Sequence, residues 1–260
     1  MKRRIVRWAA ALTAAILLAG CSFSIDEISL GGRKVIRADG EDVQEIDLLL
    51  YAEQAGDHTL SIEGIYFVSG GIELTIDPAV EDNITMSAPQ AVMDTVKVKI
   101  DHENGVIAIS GNEKLSFSEA ELEITVGVPV KSLSVEGGVE VDAVLPEVKD
   151  FSLDVAGAVD GEIQFGSLET FAAEIDGAGS LELSGSCAKA EVTVNGAGSI
   201  DAETLICTDA EVTINGAGSC QIHVTDTLDA EVNGVGSIRY FGEPKTVTRT
   251  VGGLGTVSAG

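Results

Sequence analysis

In the second half of the chain, apolar and polar residues alternate, and each alternating stretch ends at a turn of small residues. The residue just before each turn is valine or isoleucine, the residue two places earlier is apolar in six of seven stretches, and the residue between them is polar. This period of two is the pattern of a β-strand with one buried and one exposed face. Arg249 interrupts the apolar positions in the last stretch.

The turns follow one another at steps of 18 to 20 residues. They begin at Glu136, Ala156, Asp176, Asn195, Asn215, Asn233 and Gly252. A fixed period of this length is typical of solenoids, in which each repeat buries its apolar face against its neighbours. Sustained runs with a period of 3.6 residues are absent from this half. The sequence therefore predicts an all-β fold, a right-handed parallel β-helix with coils of about 19–20 residues.

The turn residues predict a stacked structural ladder. Its side chains are Asp176, Asn195, Asn215 and Asn233, and its glycines are Gly177, Gly179, Gly196, Gly198, Gly216, Gly218, Gly234 and Gly236. Asparagine tolerates left-handed geometry and satisfies backbone groups at turns, while glycine lets the chain bend tightly beside the same bend in the next coil. We expect this ladder to be structural rather than a ligand site.

The first half is also rich in strands, but it has no obvious repeat. The predicted strands are Thr59–Ile62, Ile65–Val68, Ile72–Ile76, Asn83–Met86, Val96–Ile100, Val106–Ser110 and Glu121–Val126, and Ile46–Tyr51 is either a strand or a short helix. No linker rich in proline, glycine or serine separates the two halves. We therefore predict a single β domain over residues 41–260, with regular repeats over 131–258 and a first half that caps or extends the β-helix.

The first 21 residues have the pattern of a bacterial lipoprotein signal. Four cationic residues among the first seven precede an uncharged stretch from Trp8 to Cys21, which is shorter than the roughly 20 apolar residues of a membrane span. Leu18-Ala19-Gly20-Cys21 resembles a lipobox, and the resemblance implies cleavage before Cys21 and lipidation of its thiol. We predict a signal peptide over 1–20, a short tether over 21–40, and an extracytoplasmic protein anchored through Cys21 to the cell membrane or outer membrane.

The chain is strongly acidic, with 42 Asp and Glu against 16 Lys and Arg and a formal net charge of −26. Loss of the predicted signal peptide, with its four cationic residues, would bring the net charge to −30. Such a surface repels phosphate backbones, so we expect no nucleic-acid partner. Most of the acidic residues are expected on the outward faces of strands.

Three cysteines follow the predicted lipidation site. Cys220 falls in an apolar column with Ile200 and Ile238 and is predicted to lie in the core. Cys187 and Cys207 each lie eight residues before the next asparagine turn, so we predict that they stack on adjacent coils. Stacked neighbours lie within disulfide range, but their side chains run parallel, which is not ideal for the bridge. The sequence leaves open whether this pair is a disulfide or two thiols.

Several segments together resemble the GIN-domain family. They are Ser69-Gly-Gly-Ile-Glu-Leu-Thr-Ile, Val106-Ile-Ala-Ile-Ser, Leu133-Ser-Val-Glu-Gly-Gly, the repeated Asn-Gly-Ala-Gly-Ser, and Leu228-Asp-Ala-Glu-Val-Asn-Gly-Val-Gly-Ser-Ile-Arg-Tyr-Phe-Gly-Glu-Pro. The resemblance covers roughly residues 60–258. It implies a β-helical head domain of the autotransporter adhesin type, secreted or lipid-anchored, and it transfers no catalytic residue.

An enzyme is the main alternative, because parallel β-helices also carry polysaccharide lyases and hydrolases. The acidic pairs Asp160/Glu162 and Asp201/Glu203 have the spacing that places two carboxylates on one strand face, but 42 acidic residues produce such pairs by chance. The histidines at 58, 102 and 223 are isolated, and the turns lack the aspartate of calcium-binding repeats. We therefore predict no enzyme, no cofactor and no metal site.

The sequence thus predicts a surface binding module of the adhesin type, with a surface glycan or a protein as its ligand. The alternatives are a carbohydrate-active enzyme on a β-helix scaffold and a structural or signalling accessory of the envelope. The last predicted strand ends near Val257, and an open strand edge is a template for pairing. We therefore also expect self-association through the C-terminal edge.

Overall fold

The computed structural model describes residues 28–30, 33–38, 43–49, 58–79, 83–101 and 103–260. The strands are β1 (Ile28–Leu30), β2 (Arg33–Arg37), β3 (Val43–Leu49), β4 (His58–Glu63), β5 (Gly70–Ile76), β6 (Asn83–Pro89), β7 (Lys97–Asp101), β8 (Val106–Ser110), β9 (Leu115–Ser118), β10 (Ala120–Val126), β11 (Val130–Leu145), β12 (Asp150–Gly196), β13 (Ser199–Gly216), β14 (Ser219–Gly234), β15 (Ser237–Phe241), β16 (Thr246–Gly253) and β17 (Thr256–Ala259). Within these residues the only helix is α1, a single turn at Gln90–Met93. The all-β prediction is confirmed.

Fourteen strands form one large mixed sheet that is not closed, and β1, β2 and β9 form a small second sheet. From the C-terminal edge inward, the main path of the large sheet runs β17-β15-β14-β13-β12-β11-β5-β10-β6-β3. Off this path, β16 pairs with β14 and β4 pairs with β11, while β8 pairs with β4 and β7 pairs with β8. The pairing is parallel from β11 to β17. It is antiparallel for β6 with β3 and β10, and for β7 with β8. The first half therefore departs from a purely parallel arrangement.

In the second half, the stretch from one turn to the next, here called a unit, pairs in register with the following unit. Val135 pairs with Val155 across β11 and β12, and Val194 pairs with Ile214 across β12 and β13. The sheet therefore converts the sequence spacing into columns of equivalent residues. Differences in unit length are taken up by register shifts away from the turns, for example between Ala202 and Ile206.

The core consists of these inward columns. The apolar residues of the two columns before each turn are buried from Leu133 and Val135 as far as Ala230 and Val232. Within the described chain no strand lies beyond β16 and β17, and Val251 in the last unit is accordingly 47% exposed. The only large aromatic cluster of these units, Phe151, Phe165 and Phe171, is buried, with ring centroids 5.2 to 6.4 Å apart.

The first half continues the same sheet without repeating the turn sequence. In β11, Leu133 pairs with Leu60 of β4, and Val139 pairs with Ile72 of β5. These two strands therefore occupy the place that a preceding unit would take. Burial of Leu60 and Ile72 joins them to the same apolar core.

Six of the seven strands predicted in the first half are confirmed. The prediction over Ile65–Val68 is wrong: it makes only an isolated bridge, Phe67 to Phe117, and two backbone hydrogen bonds to Phe117. Its partner β9 was not predicted. The segment over Ile46–Tyr51 is a strand, β3, as far as Leu49, and its last two residues lie outside the described part of the chain.

Candidate functional site

The side chains at the turns form a chain of hydrogen bonds across four units. Asn195 Nδ2 donates to Asp176 Oδ1 at 2.6 Å, Asn215 Nδ2 donates to Asn195 Oδ1 at 2.8 Å, and Asn233 Nδ2 donates to Asn215 Oδ1 at 3.1 Å. Asn195 and Asn215 thus each donate an amide N–H to the preceding unit and accept a hydrogen bond from the following one, while Asn233 only donates. Bonds aligned in this way polarise one another.

The chemistry of the end residues explains why the ladder stops at Asp176 and at Asn233. Asp176 is a carboxylate, which accepts hydrogen bonds and has no N–H to donate further. At the other end Asn233 pairs with Gly252, which has no side chain to continue the series. Two flanking glutamates add acceptors: Asn195 Nδ2 lies 3.4 Å from Glu174 Oε1, and Asn233 Nδ2 lies 2.7 Å from Glu231 Oε1. The ladder amides are therefore largely engaged within the protein.

The two glycines of each turn differ in backbone conformation. The first, for example Gly216, has a φ of +139°, and a Cβ there would lie 2.4 Å from the carbonyl oxygen of Gly196 in the preceding unit. The second, for example Gly218, has no positive φ, but a Cβ there would still lie 2.7 Å from the carbonyl oxygen of Gly198. Close backbone stacking thus requires glycine at both positions, except at Gly198, where a Cβ would make ordinary contacts with Val194 and Ile175. Among the ladder glycines, only Gly179 has a positive φ at the second position.

Acidic residues form rows across the outer surface of the sheet. Glu123 and Glu140 both pair with Glu73, and Glu140 also pairs with Asp160, so four carboxylates follow one another at roughly 4.8 Å spacing. Burial, followed by repulsion from Glu121, Glu140 and Glu123, raises the pKa of Glu73. These rows concentrate the negative charge on a strand face. In the described residues no group of three or more His, Cys, Asp or Glu side chains is arranged to hold a metal ion.

In the two acidic pairs that are candidates for catalysis, Asp160/Glu162 and Asp201/Glu203, the aspartates accept hydrogen bonds within the protein. Asp160 Oδ1 accepts from the N–H of Ser180 at 2.9 Å. Asp201 Oδ1 accepts from the N–H of Glu203 at 3.2 Å, and its Oδ2 accepts from Gln221 at 3.4 Å.

A polar depression of about 490 Å³ lies in the first half, between the turn after α1 and the loop that joins β8 to β9. Its lining consists of Asp94, Thr95, Lys97, Gly111, Asn112, Glu113 and Lys114. Lys97 and Lys114 are exposed and make no ion pair with any residue that the structure describes. Ammonium donors therefore stand beside carboxylate and amide acceptors in one concave surface. No motif marks this site in the sequence, because its residues come from two separate loops.

A second set of contacts that the sequence did not indicate ties the small sheet to the first turn. The guanidinium carbon of Arg33 lies 3.6 Å from the ring centroid of Tyr66, and the Tyr66 hydroxyl donates to Glu136 Oε1 at 2.7 Å. The hydrogen bond to the Glu136 carboxylate is the main reason that the pKa of Tyr66 is raised. These residues fasten β2 to the start of the repeated units.

The C-terminal edge carries a charged residue where the preceding units have an apolar one. Arg249 pairs with the buried Ala230, its guanidinium carbon lies 5.2 Å from the Tyr240 ring centroid, and its Nη2 donates to the Tyr240 hydroxyl. Arg249 therefore lies across the end of the core. Inward-directed charge is one of the ways in which proteins protect an open strand edge.

The cysteines and histidines considered in the sequence analysis lie at the following places. Cys220 is buried, which confirms its core position, and Cys187 pairs with Cys207, which confirms their stacking; all three are free thiols in this structure. His58 Nδ1 lies 3.3 Å from the carbonyl oxygen of Pro129. Cys21, the signal peptide over 1–20 and the histidine at 102 lie outside the described residues.

Stacked parallel units, glycine turns and an amide ladder define a repetitive all-β domain with a polar, acidic exterior. A family model described as "Putative auto-transporter adhesin, head GIN domain" matches residues 62–244. The chain therefore belongs to the GIN-domain family, as the sequence resemblance indicated. Membership of a family of adhesin head domains indicates a surface or extracytoplasmic protein, and none of the described helices is long and apolar enough to cross a membrane.

Solved structures from three bacteria share the fold. A putative adhesin from Bacteroides fragilis is 20% identical, with a TM-score of 0.69, over 86% of this chain and 99% of that one. A putative lipid binding protein from Parabacteroides distasonis is 17% identical, with a TM-score of 0.59, over 87% and 100%. A putative adhesin from Parabacteroides merdae is 18% identical, with a TM-score of 0.56, over 87% and 99%. The names of the family and of these proteins denote adhesion or lipid binding rather than catalysis. Comparison with curated proteins gives no match.

Proposed function

We propose that this protein is a lipid-anchored, extracytoplasmic binding module that acts as an adhesin-like head and recognises a surface glycan without turning it over. Its membership of the GIN-domain family over residues 62–244 is the observation that carries this proposal. The lipobox-like Leu18-Ala19-Gly20-Cys21 supports attachment to the membrane through Cys21.

The proposed scaffold is a right-handed parallel β-helix in which each unit makes one coil. In-register parallel pairing of units that are 18 to 20 residues long supports one coil per unit, and right-handed crossovers are the rule for parallel strands of one sheet. A rigid stack of this kind holds loops at constant positions, which lowers the entropy lost when they bind a ligand. An experimental structure in which the units progress with left-handed winding would overturn the proposed coil.

The polar depression supports a glycan as the ligand. Sugar hydroxyls both donate and accept hydrogen bonds, and this surface offers the ammonium groups of Lys97 and Lys114 beside the carboxylates of Asp94 and Glu113. Its volume of about 490 Å³ is within the range of small-ligand sites, roughly 300–1,000 Å³. The ladder is a weaker candidate because its amides are already hydrogen-bonded to one another.

The test is a screen of the full chain, purified in detergent, on an array of glycans and extracellular-matrix proteins, with mass spectrometry of every glycan hit. Saturable glycan binding without a product supports the proposal. Binding to matrix proteins alone would replace the glycan by a protein ligand, and a released product would overturn the non-enzymatic assignment.

Matched lysine variants locate the binding site. Lys97→Ala and Lys114→Ala should each weaken glycan binding about tenfold, which corresponds to the loss of one charged hydrogen bond. Lys131→Ala removes an exposed lysine elsewhere and should leave binding unchanged. Equal binding by all three variants would exclude the depression as the site.

The anchor is tested separately from the ligand. Mass spectrometry of the N-terminal peptide should show a chain that begins at Cys21 and carries acyl groups. Cys21→Ser should release the protein from the membrane fraction. An unmodified N-terminus on membrane-bound protein would overturn the lipid anchor and leave the ligand proposal standing.

A further inference from the structure

Cys187 and Cys207 occupy directly paired positions in the neighbouring parallel strands β12 and β13. Paired residues of adjacent strands lie on the same face of the sheet, roughly 4.8 Å apart, which is within the range of about 4.4–6.8 Å between the Cα atoms of a disulfide. Their relative exposures are 4% and 0%, so both side chains enter the same interior. The backbone thus brings the two sulfur atoms together on one side.

The two thiols also interact with each other. A hydrogen bond between them is the main cause of a lowered pKa for Cys187 and of a raised pKa for Cys207. Each thiol also donates to a backbone carbonyl, Cys187 Sγ to Lys189 O at 3.0 Å and Cys207 Sγ to Leu205 O at 3.5 Å. The lowered pKa favours Cys187 as the attacking group in thiol–disulfide exchange.

Cys220 provides an internal comparison. It is buried like the other two, but its paired residues are Ile200 and Ile238. Burial raises the pKa of its thiol to about 12. Cys220 therefore has a similar environment without a sulfur atom in the paired position.

The cysteine pair lies just beyond an irregularity in the strand pairing. Residues up to Glu182 pair with residues 19 positions later, and from Ser184 onward, including Cys187, the offset is 20. A covalent link at Cys187 and Cys207 would fix the strand register directly after this shift. Register is less strongly specified where the ladder is interrupted.

We propose that Cys187 and Cys207 form a disulfide that links two successive units covalently after export. The inference rests on the proposed extracytoplasmic location, because disulfides persist in oxidising compartments. During folding, the Cys187 thiolate attacks a sulfur of a donor disulfide and releases one donor thiol. The Cys207 thiolate then attacks Cys187 Sγ and releases the second donor thiol. The two protons leave the cysteines and end on the donor thiols, so the donor is reduced as the protein pair is oxidised.

The test isolates the protein from cells in the presence of an alkylating reagent, denatures it and digests it after glutamate. Each cysteine then falls in its own peptide: 183–191 with Cys187, 204–211 with Cys207 and 212–231 with Cys220. We expect the first two peptides to be joined and lighter by two hydrogen atoms than the reduced pair. Cys220 should be alkylated on denaturation. Complete alkylation of both Cys187 and Cys207 in protein whose N-terminus shows processing at Cys21 would overturn the proposal.

Refolding separates a failure of the cross-link from a failure of export. Reduced full chain refolded in a mixture of oxidised and reduced glutathione should form the same link, melt roughly 6–12 °C higher than the reduced form, and keep the link in Cys220→Ala. Cys207→Ala should show neither the link nor the shift. Refolding without the link would overturn the cross-link whatever the location of the protein. A link formed on refolding, in a chain that cells leave unprocessed at Cys21, would instead refute the lipid anchor.

Discussion

Asn195 donates its side-chain amide to the Asp176 carboxylate at 2.6 Å across two successive units, and this contact begins a directional ladder that ends at Asn233. The acceptor end is the only carboxylate of the ladder. Direction follows from chemistry, since Asp176 accepts hydrogen bonds and cannot donate them onward. Asn195→Asp and Asp176→Asn are similar in shape, but the direction of this contact gives them different expected effects on stability.

Asn195→Asp should destabilise the protein by about 1 kcal/mol. It removes the donor of the 2.6 Å bond and places a second carboxylate beside Asp176. Asp176→Asn keeps the accepting oxygen and removes a charge, so its effect should stay within about 0.5 kcal/mol. Urea unfolding of the two variants beside the native protein measures the difference. Equal losses would show that the ladder direction has no energetic consequence.

Gly216→Ala should lower the free energy of unfolding by about 2–4 kcal/mol. The new Cβ would lie 2.4 Å from the Gly196 carbonyl oxygen, at a φ of +139°. Gly138→Ala is the matched control, since nothing lies within 4 Å of its Cβ position and alanine already occupies the paired position 158. It should be neutral or slightly stabilising. Thermal and urea unfolding of both variants measure the difference in the free energy of unfolding. Equal stability of the two variants would contradict the requirement for glycine at position 216.

Arg249→Val should increase self-association. The change restores the apolar column at the C-terminal edge and removes the charge that lies over Tyr240. Thr248→Val adds the same side chain one residue earlier, on the outward side of the strand, and should associate no more than the native chain. Analytical ultracentrifugation over a range of concentrations compares the three proteins. Association through this edge in the native protein remains a prediction, and an unchanged Arg249→Val variant would contradict the protective role of the arginine.

Glu73→Gln should stabilise the protein at pH 7 by a few tenths of a kcal/mol, as for other exposed like-charge neighbours. Burial, then repulsion from Glu121, Glu140 and Glu123, raises the pKa of Glu73 in the folded state. The folded protein therefore binds this proton more tightly than the unfolded chain. The stabilisation that comes from binding this proton is complete below the ordinary glutamate pKa. It is lost as the pH rises through the raised pKa of Glu73 in the folded protein.

The gain from Glu73→Gln should accordingly be larger at pH 7 than at pH 4. Glu63→Gln, at an exposed glutamate paired with Ser110 instead of another carboxylate, is the matched control. Urea titrations at several pH values between 4 and 7 test the prediction. A gain that is independent of pH would point to packing rather than charge.

The candidate site shows where sequence reasoning stops. The ladder residues could be identified in advance because they recur at nearly the same position in each repeat. The Tyr66–Glu136 contact joins residues 70 positions apart, and the depression combines residues near 94 and near 113. Neither has a periodic signal. Packing of the non-repeated half against the repeats brings these residues together.

The sequence by itself determined the strand alternation, the turn positions and the register of the repeated half, because each unit pairs with its immediate neighbour and a constant spacing aligns equivalent residues. Only the tertiary structure decided the antiparallel pairing of β6 with β3 and β10, the place of β4 and β5 beside β11, and the contact of Arg249 with Tyr240. These features depend on contacts between segments whose separation follows no repeat, so local pattern carries no information about them.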